Sequence, residues 1–119
     1  MFELLAKDIE PLQLREQTTV ISATEEIIKL PKLRPNRIHV ITNICVLQTP
    51  TGKGQVFIGI LSKGEEFLLM SYTPTVSEDA VTWVGLTIGL EYDEIYAKVQ
   101  GATATDTLSL VAFGYSIKE

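Results

Sequence analysis

The sequence contains very little cysteine and histidine. Of its 119 residues, Cys45 is the single cysteine and His39 the single histidine. One thiol cannot form an intrachain disulfide, and no Cys/His cluster with metal-ligand spacing is present. A histidine-based triad would have to include His39, yet no Gly-x-Ser-x-Gly motif accompanies it. We therefore expect no enzymatic activity, no cofactor and no metal site, and we expect both residues to pack within a sheet.

The sequence also lacks a long apolar run and an excess of positive charge. Residues 1–8 do not have the apolar stretch of a signal peptide, and no later run is long enough to cross a bilayer. The 15 acidic side chains outnumber the 10 basic ones, giving a net charge of −5, so phosphate backbones and anionic lipids would be repelled. We expect a protein that folds in a cytosol, with neither nucleic acid nor membrane as its partner.

From Thr18 onward the chain consists of β-branched and aromatic runs separated by Gly, Pro, Asn and Asp. This pattern predicts many short strands, and it favours a sandwich or a barrel. The strands are predicted at Thr18 to Ser22, Glu26 to Leu30, Arg37 to Leu47, Gln55 to Leu61, Glu66 to Tyr72, Ala80 to Val84, Leu86 to Leu90, Glu94 to Val99 and Thr107 to Ile117.

Before Thr18 the apolar residues are scattered among charges, and Pro11 would interrupt a helix. We therefore predict an extended N-terminal arm over residues 1–17 and one domain over residues 18–119. The predicted fold class is all-β, a two-sheet antiparallel β-sandwich. Its connectivity, jelly-roll or immunoglobulin-like, stays open at this point.

Alternation in the long strands places apolar residues on both faces of the predicted sheet. In the third strand Ile38, Val40, Thr42, Ile44 and Val46 would share one face, and His39, Ile41, Asn43, Cys45 and Leu47 the other. The last strand sets Leu108, Leu110 and Ala112 against Val111, Phe113, Tyr115 and Ile117. In a monomeric sandwich one face of each strand is exposed to solvent and is usually polar. Since both faces are apolar here, we expect another surface to cover the outer face. A symmetric oligomer is favoured over fold-back of residues 1–30 or a larger docking surface.

Two residue classes suggest other functions. The acidic groups Glu65-Glu66, Glu78-Asp79 and Glu91-x-Asp93-Glu94 lie at predicted turns or strand ends, without the ligand spacing of a calcium loop, and are interpreted as solvated charges. The aromatic residues Trp83, Tyr72, Tyr92, Tyr96 and Tyr115 raise carbohydrate binding as an alternative. Trp83 shares strand parity with Val81, which predicts packing against the core.

Five successive segments after Arg37 carry a further pattern. They are Val40-Ile41-Thr42-Asn43-Ile44-Cys45-Val46, Val56-Phe57-Ile58-Gly59-Ile60, Glu66-Phe67-Leu68-Leu69, Val81-Thr82-Trp83-Val84-Gly85 and Leu90-Glu91-Tyr92-Asp93-Glu94-Ile95-Tyr96-Ala97. In this order they resemble small β-sandwich virion proteins of tailed bacteriophages, over about two thirds of the chain. The sequence departs from that pattern at Tyr92, where the group has a glycine before Asp93.

The resemblance implies a structural virion protein, either a head decoration (cement) protein or a neck, tail or baseplate component. Such proteins are commonly symmetric oligomers, often trimers, whose terminal arms grip neighbouring subunits. We therefore expect a homo-oligomer, with a trimer favoured, that binds the major capsid protein or other virion proteins. A carbohydrate- or receptor-binding module is the competing function. The residues predicted to contact sister subunits or other partners are Leu4, Leu5, Leu12, Ile41, Leu47, Phe113 and Tyr115.

Overall fold

The computed structural model describes residues 9–21, 24–49, 54–73 and 80–118. Within these ranges the chain forms eight strands and no helix, which confirms the all-β prediction. The strands are β1 (Ile9–Thr19), β2 (Glu26–Lys29), β3 (Arg37–Thr49), β4 (Gln55–Ser62), β5 (Glu65–Tyr72), β6 (Ala80–Gly89), β7 (Glu94–Gln100) and β8 (Thr107–Lys118).

The strands pair into two four-stranded antiparallel sheets that pack face to face. Sheet 1 has the order β1-β8-β3-β6, and sheet 2 has the order β2-β7-β4-β5. The chain changes sheet at every connection except the β4–β5 hairpin. Eight strands arranged in this way form a jelly roll, so the structure decides between the two connectivities that the sequence left open.

The sheet begins earlier in the chain than predicted. Residues 9–17, assigned by the sequence to the arm, are part of β1, which pairs with β8 from Ile9 to Thr19. Pro11 is tolerated because β1 is an edge strand, where a missing N–H costs no ladder hydrogen bond on the open side. Residues 1–8, including Leu4 and Leu5, lie outside the described residues.

The strand β6 was predicted as two strands that Gly85 would separate. It is one continuous strand of ten residues. A Cβ at Gly85 would lie 2.8 Å from Cζ2 of Trp83, so the indole covers the position that a side chain would occupy. The glycine is thus accommodated within the strand by its aromatic neighbour, and it does not end the strand.

The core lies between the two sheets and consists mainly of Ile, Val and Leu side chains. The hydrophobic residues with no exposed surface are Ile41, Ile44, Val46, Val56, Ile58, Ile95, Ala97, Val99, Leu108, Leu110 and Ala112. Leu12, Leu14 and Trp83 are partly buried and pack against this core. The packing of Trp83 confirms the prediction made from its parity with Val81.

A β-bulge at Thr42 changes the side from which β3 contributes to the core. The register of β3 shifts between Ile41 and Asn43 against both β6 and β8. Odd-numbered residues such as His39 and Ile41 are buried before the bulge, and even-numbered residues such as Ile44 are buried after it. The strict alternation that the sequence analysis assumed for this strand is therefore wrong, because one extra residue reverses the parity.

The beginning of β1 is attached to the sandwich by polar contacts. Arg34 Nη2 donates to Glu10 Oε2 at 2.6 Å, and Arg37 Nη1 lies 3.7 Å from Glu10 Oε1. Arg37 Nε also donates to Ser116 Oγ at 2.8 Å. These contacts lie at an exposed or half-buried edge, so each adds only modest stability. Their main effect is to fix where β1 enters sheet 1.

The bulge leaves no room for a side chain at Gly114, the single glycine of β8. A Cβ at this position would collide with the carbonyl oxygen of Val40 and lie 3.0 Å from Cα of Ile41. We expect Gly114→Ala to lower the free energy of unfolding by about 2–3 kcal/mol, measured by urea titration, since the backbone would have to shift.

The matched control is Gly64→Ala. No atom lies within 4 Å of a Cβ built at Gly64, but its φ of +80° is unfavourable for alanine. That variant should lose only about 1 kcal/mol. Equal losses in the two variants would contradict the close approach at the bulge.

Candidate interaction surface

The outer face of sheet 1 is apolar at one end. Cross-strand registers place the outward residues of β1, β8, β3 and β6 in rows. The first three rows are Ile9–Ile117–Ile38, Pro11–Tyr115–Val40–Ile88 and Gln13–Phe113–Asn43–Val84. Side chains in such rows touch one another across strands, so they form one continuous surface.

Many of these side chains remain exposed to solvent. Val84 is 71% exposed and Leu86 70%, and smaller exposed fractions are found along β8 and the start of β3. We call this set the apolar patch; its members are Ile9, Ile38, Val84, Leu86, Ile88, Phe113 and Tyr115. Contiguous exposed apolar surface of this kind usually marks an interaction site.

The character of the same face changes toward its other end. The next rows are Arg15–Val111–Cys45–Thr82 and Gln17–Ser109–Leu47–Ala80. Here charged and hydroxyl groups stand beside small apolar residues, and an open hollow of about 410 Å³ is lined by β1, Leu47, Ser109 and Val111. The apolar patch therefore has a polar border on this side, as interfaces between proteins commonly do.

The outer face of sheet 2 has a different character, because Lys98 and Tyr96 cover part of it, while Ile27 and Leu68 stay exposed. Lys98 Nζ lies 3.9 Å from Glu66 Oε1 and 6.0 Å from the centre of the Phe57 ring. Tyr96 points outward yet is only 2% exposed, and its ring lies over Gly59, where an added Cβ would be 2.8 Å from the phenol oxygen. This face needs no partner to shield its aromatic residues.

The structure distributes the predicted contact residues over three environments. Phe113 and Tyr115 belong to the apolar patch, and Leu47 is half-buried in the polar rows of the same face. Leu12 is half-buried against the core, and Ile41 is fully buried within it. Ile41 is buried because the bulge turns it inward, so a partner that docks on the folded surface does not reach it.

Sequence reasoning did not select the most exposed members of the apolar patch, Val84, Leu86 and Ile88. The signal was present, because these residues alternate with Gly85 and Thr87. Dividing β6 at Gly85 concealed a single apolar stripe along one strand. A glycine two residues from an aromatic residue can lie under the aromatic ring within one strand, so it is a weak indication that the strand ends.

Two of the residues considered for catalysis and metal binding, His39 and Asp93, make hydrogen bonds within the fold. His39 is 2% exposed, and its Nε2 donates to the carbonyl oxygen of Arg34 at 2.9 Å. Asp93 is 5% exposed, and its Oδ2 accepts the backbone N–H of Leu90 at 2.9 Å, which closes the turn before β7. Among the residues that the structure describes, no group of three His, Cys, Asp or Glu could hold a metal ion.

The five aromatic residues that suggested carbohydrate binding do not form one exposed platform. Tyr96 is buried, and Trp83 and Tyr72 pack against the core. The two that remain exposed are Tyr92, in the turn before β7, and Tyr115, on β8. Most of this aromatic surface is therefore engaged within the fold and is not available to stack on a sugar ring.

Comparison with known proteins identifies the fold and no family. No protein-family model matches the sequence, and no curated protein matches it. A chain in the acid-stable capsid structure of Helicobacter pylori bacteriophage KHP30 is similar, with a TM-score of 0.65 at 8% identity over 92% of this chain and 89% of that one. A chain of the cyanophage Pam1 capsid asymmetric unit has a TM-score of 0.51 at 14% identity over 92% and 85%.

The same fold also occurs outside phage particles. Murine APRIL is similar with a TM-score of 0.52 at 11% identity, over 86% of this chain and 98% of its own. These similarities establish a shared architecture, and architecture alone does not define what a protein binds. In the described ranges, no helix is long and apolar enough to cross a membrane.

Tyr96 gives a measurable consequence of the covered face of sheet 2. Burial, together with the charge of Glu66, raises the pKa of Tyr96 above its ordinary value of 10.0. Because the unfolded chain then ionises first, the free energy of unfolding should fall as the pH rises from about 10 through the raised pKa of the folded state. The Tyr96→Phe variant should lose less stability over this range, as measured by urea titration at several pH values.

The control variant is Tyr92→Phe, which removes a hydroxyl group from an exposed turn. Its stability should follow the wild-type dependence on pH. If Tyr96→Phe and Tyr92→Phe behave alike, Tyr96 is not the group responsible for the alkaline loss.

Proposed function

We propose that this chain is a structural, non-enzymatic protein of a tailed-phage virion, and that it decorates or cements the head lattice as a symmetric oligomer, with a trimer favoured. The observation that carries the proposal is the apolar patch on the outer face of sheet 1. The protein would fold in the host cytoplasm and act at the particle surface. Its partners are sister copies and the major capsid protein or another virion protein.

The apolar patch supports self-association because it combines large exposed side chains with an absence of charge. Its members are aliphatic or aromatic, and burying one such side chain contributes about 2 kcal/mol. The net charge of −5 opposes contact between other parts of two copies. A closed ring of copies that turns the patch toward its axis would remove the apolar surface from water while leaving the charged surfaces apart.

The segment before β1 is proposed to contact the neighbouring shell. Residues 1–8 join the sheet at Ile9, which is itself a member of the apolar patch. Leu4 and Leu5 in this segment would supply apolar anchors, each weak alone and reinforced by the many copies on a lattice. Leu12, the third leucine predicted for this role, is already packed against the core and contributes by fixing β1.

The likeness to chains in the KHP30 and Pam1 capsid structures supports a virion role over an unrelated binding function. A jelly roll is well suited to such a role, because lattice binding requires stable surfaces and no reacting group. Because other proteins share this fold, the virion role is tested through the surfaces of the chain.

The first test measures the mass of the oligomer in solution. By light scattering at low and high concentration, the wild-type chain should keep the mass of a trimer, or of a multiple of it, on dilution. Phe113→Lys places a charge within the apolar patch, and its mass should fall to that of one or two copies. The matched control is Ser71→Lys on the outer face of sheet 2, which should leave the mass unchanged. A wild-type chain that is strictly monomeric would contradict the proposed oligomer.

The second test measures binding to phage heads. Heads purified from a phage lacking this gene should bind the added wild-type chain and then withstand heating better, measured by release of DNA. A chain with Leu4 and Leu5 both changed to Ala should bind at least about tenfold more weakly, since two apolar anchors are lost. Binding to purified tails, with none to heads, would move the protein from the head to the tail.

A further inference from the structure

The four edge strands of the two sheets differ in how they are protected. An edge strand exposes unpaired N–H and C=O groups, and natural proteins block such edges with charges, proline or a very short strand. The strand β1 contains Pro11 and Glu10, the strand β2 has only four residues, and the strand β5 begins with Glu65 and Glu66. Each of these three edges therefore carries a feature that discourages the addition of another strand.

The fourth edge strand, β6, has none of these three features, and its one irregularity is that Gly85 and Leu86 both lie opposite Thr42 of β3. Its ten residues, Ala80–Gly89, include no charged residue and no proline. One side of β6 pairs with β3, and no strand among the described ranges pairs with the other side. A long, uncharged edge of this kind is a template for a further strand.

The side chains of β6 are arranged for such an addition. Val84 and Leu86 point outward and are 71% and 70% exposed. Trp83 lies on the inner side, packs against the core and covers Gly85. The packing of Trp83 against the core therefore fixes β6 in place, while its open edge and its outer side chains face solvent.

We propose that β6 pairs edge to edge and antiparallel with the β6 of a second copy of this chain, around a two-fold axis, to form one sheet of eight strands. The sequence of the strand is self-complementary in this arrangement. With Gly85 at the centre, Val84 of each copy faces Leu86 of the other, which forms two apolar cross-strand pairs. Because the strand has no charge, pairing sets no like charges against each other in spite of the net charge of −5.

This edge contact forms through the open backbone edge of β6 and does not depend on the oligomer proposed above, although Val84 and Leu86 also belong to the apolar patch. The two-fold axis of an antiparallel strand pair is perpendicular to the sheet, so both apolar patches lie on the same side of the joined sheet. Phe113 and Tyr115 on β8 lie two strands from the joined edge. A ring formed through the patch and a pair formed through the edge can therefore be tested separately, and together they would connect rings into a larger array.

The experiment measures self-association and backbone protection together. In the Phe113→Lys background, which removes contact through the patch, sedimentation velocity should show a dimer at high concentration. Hydrogen exchange of the β6 amides should slow as the concentration rises, because N–H groups on the open edge become bonded. Adding Leu86→Lys should weaken the dimer by about tenfold or more, since each copy then brings a charge to an apolar pair.

Two controls separate this effect from misfolding. Leu68→Lys changes a similarly exposed leucine, 55% accessible, on the edge strand β5, and it should leave the dimer unchanged. An equal mixture of Leu86→Lys and Leu86→Glu chains should dimerise more tightly than either chain alone, because the two residues 86 are diagonal neighbours across the joined edge and then carry opposite charges.

Three outcomes would overturn the proposal. One is a Leu86→Lys chain that dimerises as tightly as its parent. Another is exchange of the β6 amides that does not change with concentration. The third is protection of these amides only when phage heads are added, which would assign the edge to a strand of another protein. A failure of head binding, by contrast, would leave the edge contact standing.

Discussion

The extra residue at Thr42 determines which side chains of sheet 1 enter the core and which remain outside. The strand β3 lies between β8 and β6: Thr42 has no partner on β8, and Gly85 and Leu86 of β6 both lie opposite it. Before the bulge His39 and Ile41 fill the inner side, and after it Ile44 and Val46 do. Gly114 allows this arrangement because β8 can approach the bulged backbone only without a side chain at that position. The rows that form the apolar patch take their register from this one irregularity.

Much of the fold was predictable from the sequence because strands of this size depend on local patterns. Alternating β-branched residues between turns located β2, β4, β5, β7 and β8 to within about one residue. The errors occurred where tertiary contacts override the local signal: Pro11 inside an edge strand, and Gly85 covered by the ring of Trp83. The bulge has no local signature either, so the parity of Ile41 could not be read from the residues alone.

The two outer faces of the sandwich differ in how far their large side chains are covered by neighbouring side chains. Sheet 2 places Lys98 near Phe57 and lays Tyr96 across Gly59, so these two outward aromatic rings are covered within one chain. On the outer face of sheet 1, Leu86 of β6 and Phe113 of β8 are exposed, and no long charged side chain of these two strands covers them. The sequence reasoning that both faces of the strands are apolar was sound for sheet 1, although it identified Phe113 and overlooked Leu86.

Charge placement then determines how copies of the chain can meet. A jelly roll found both in phage capsid structures and in murine APRIL leaves specificity to its surfaces. In this chain, glutamates and lysines occupy the edges β2 and β5 and the outer face of sheet 2, where two approaching copies with net negative charge would repel each other. The outer side of β6 and the adjoining apolar patch carry no charge at all. Both contacts proposed between copies therefore use sheet 1, where Val84, Leu86 and Phe113 would leave water without setting like charges together.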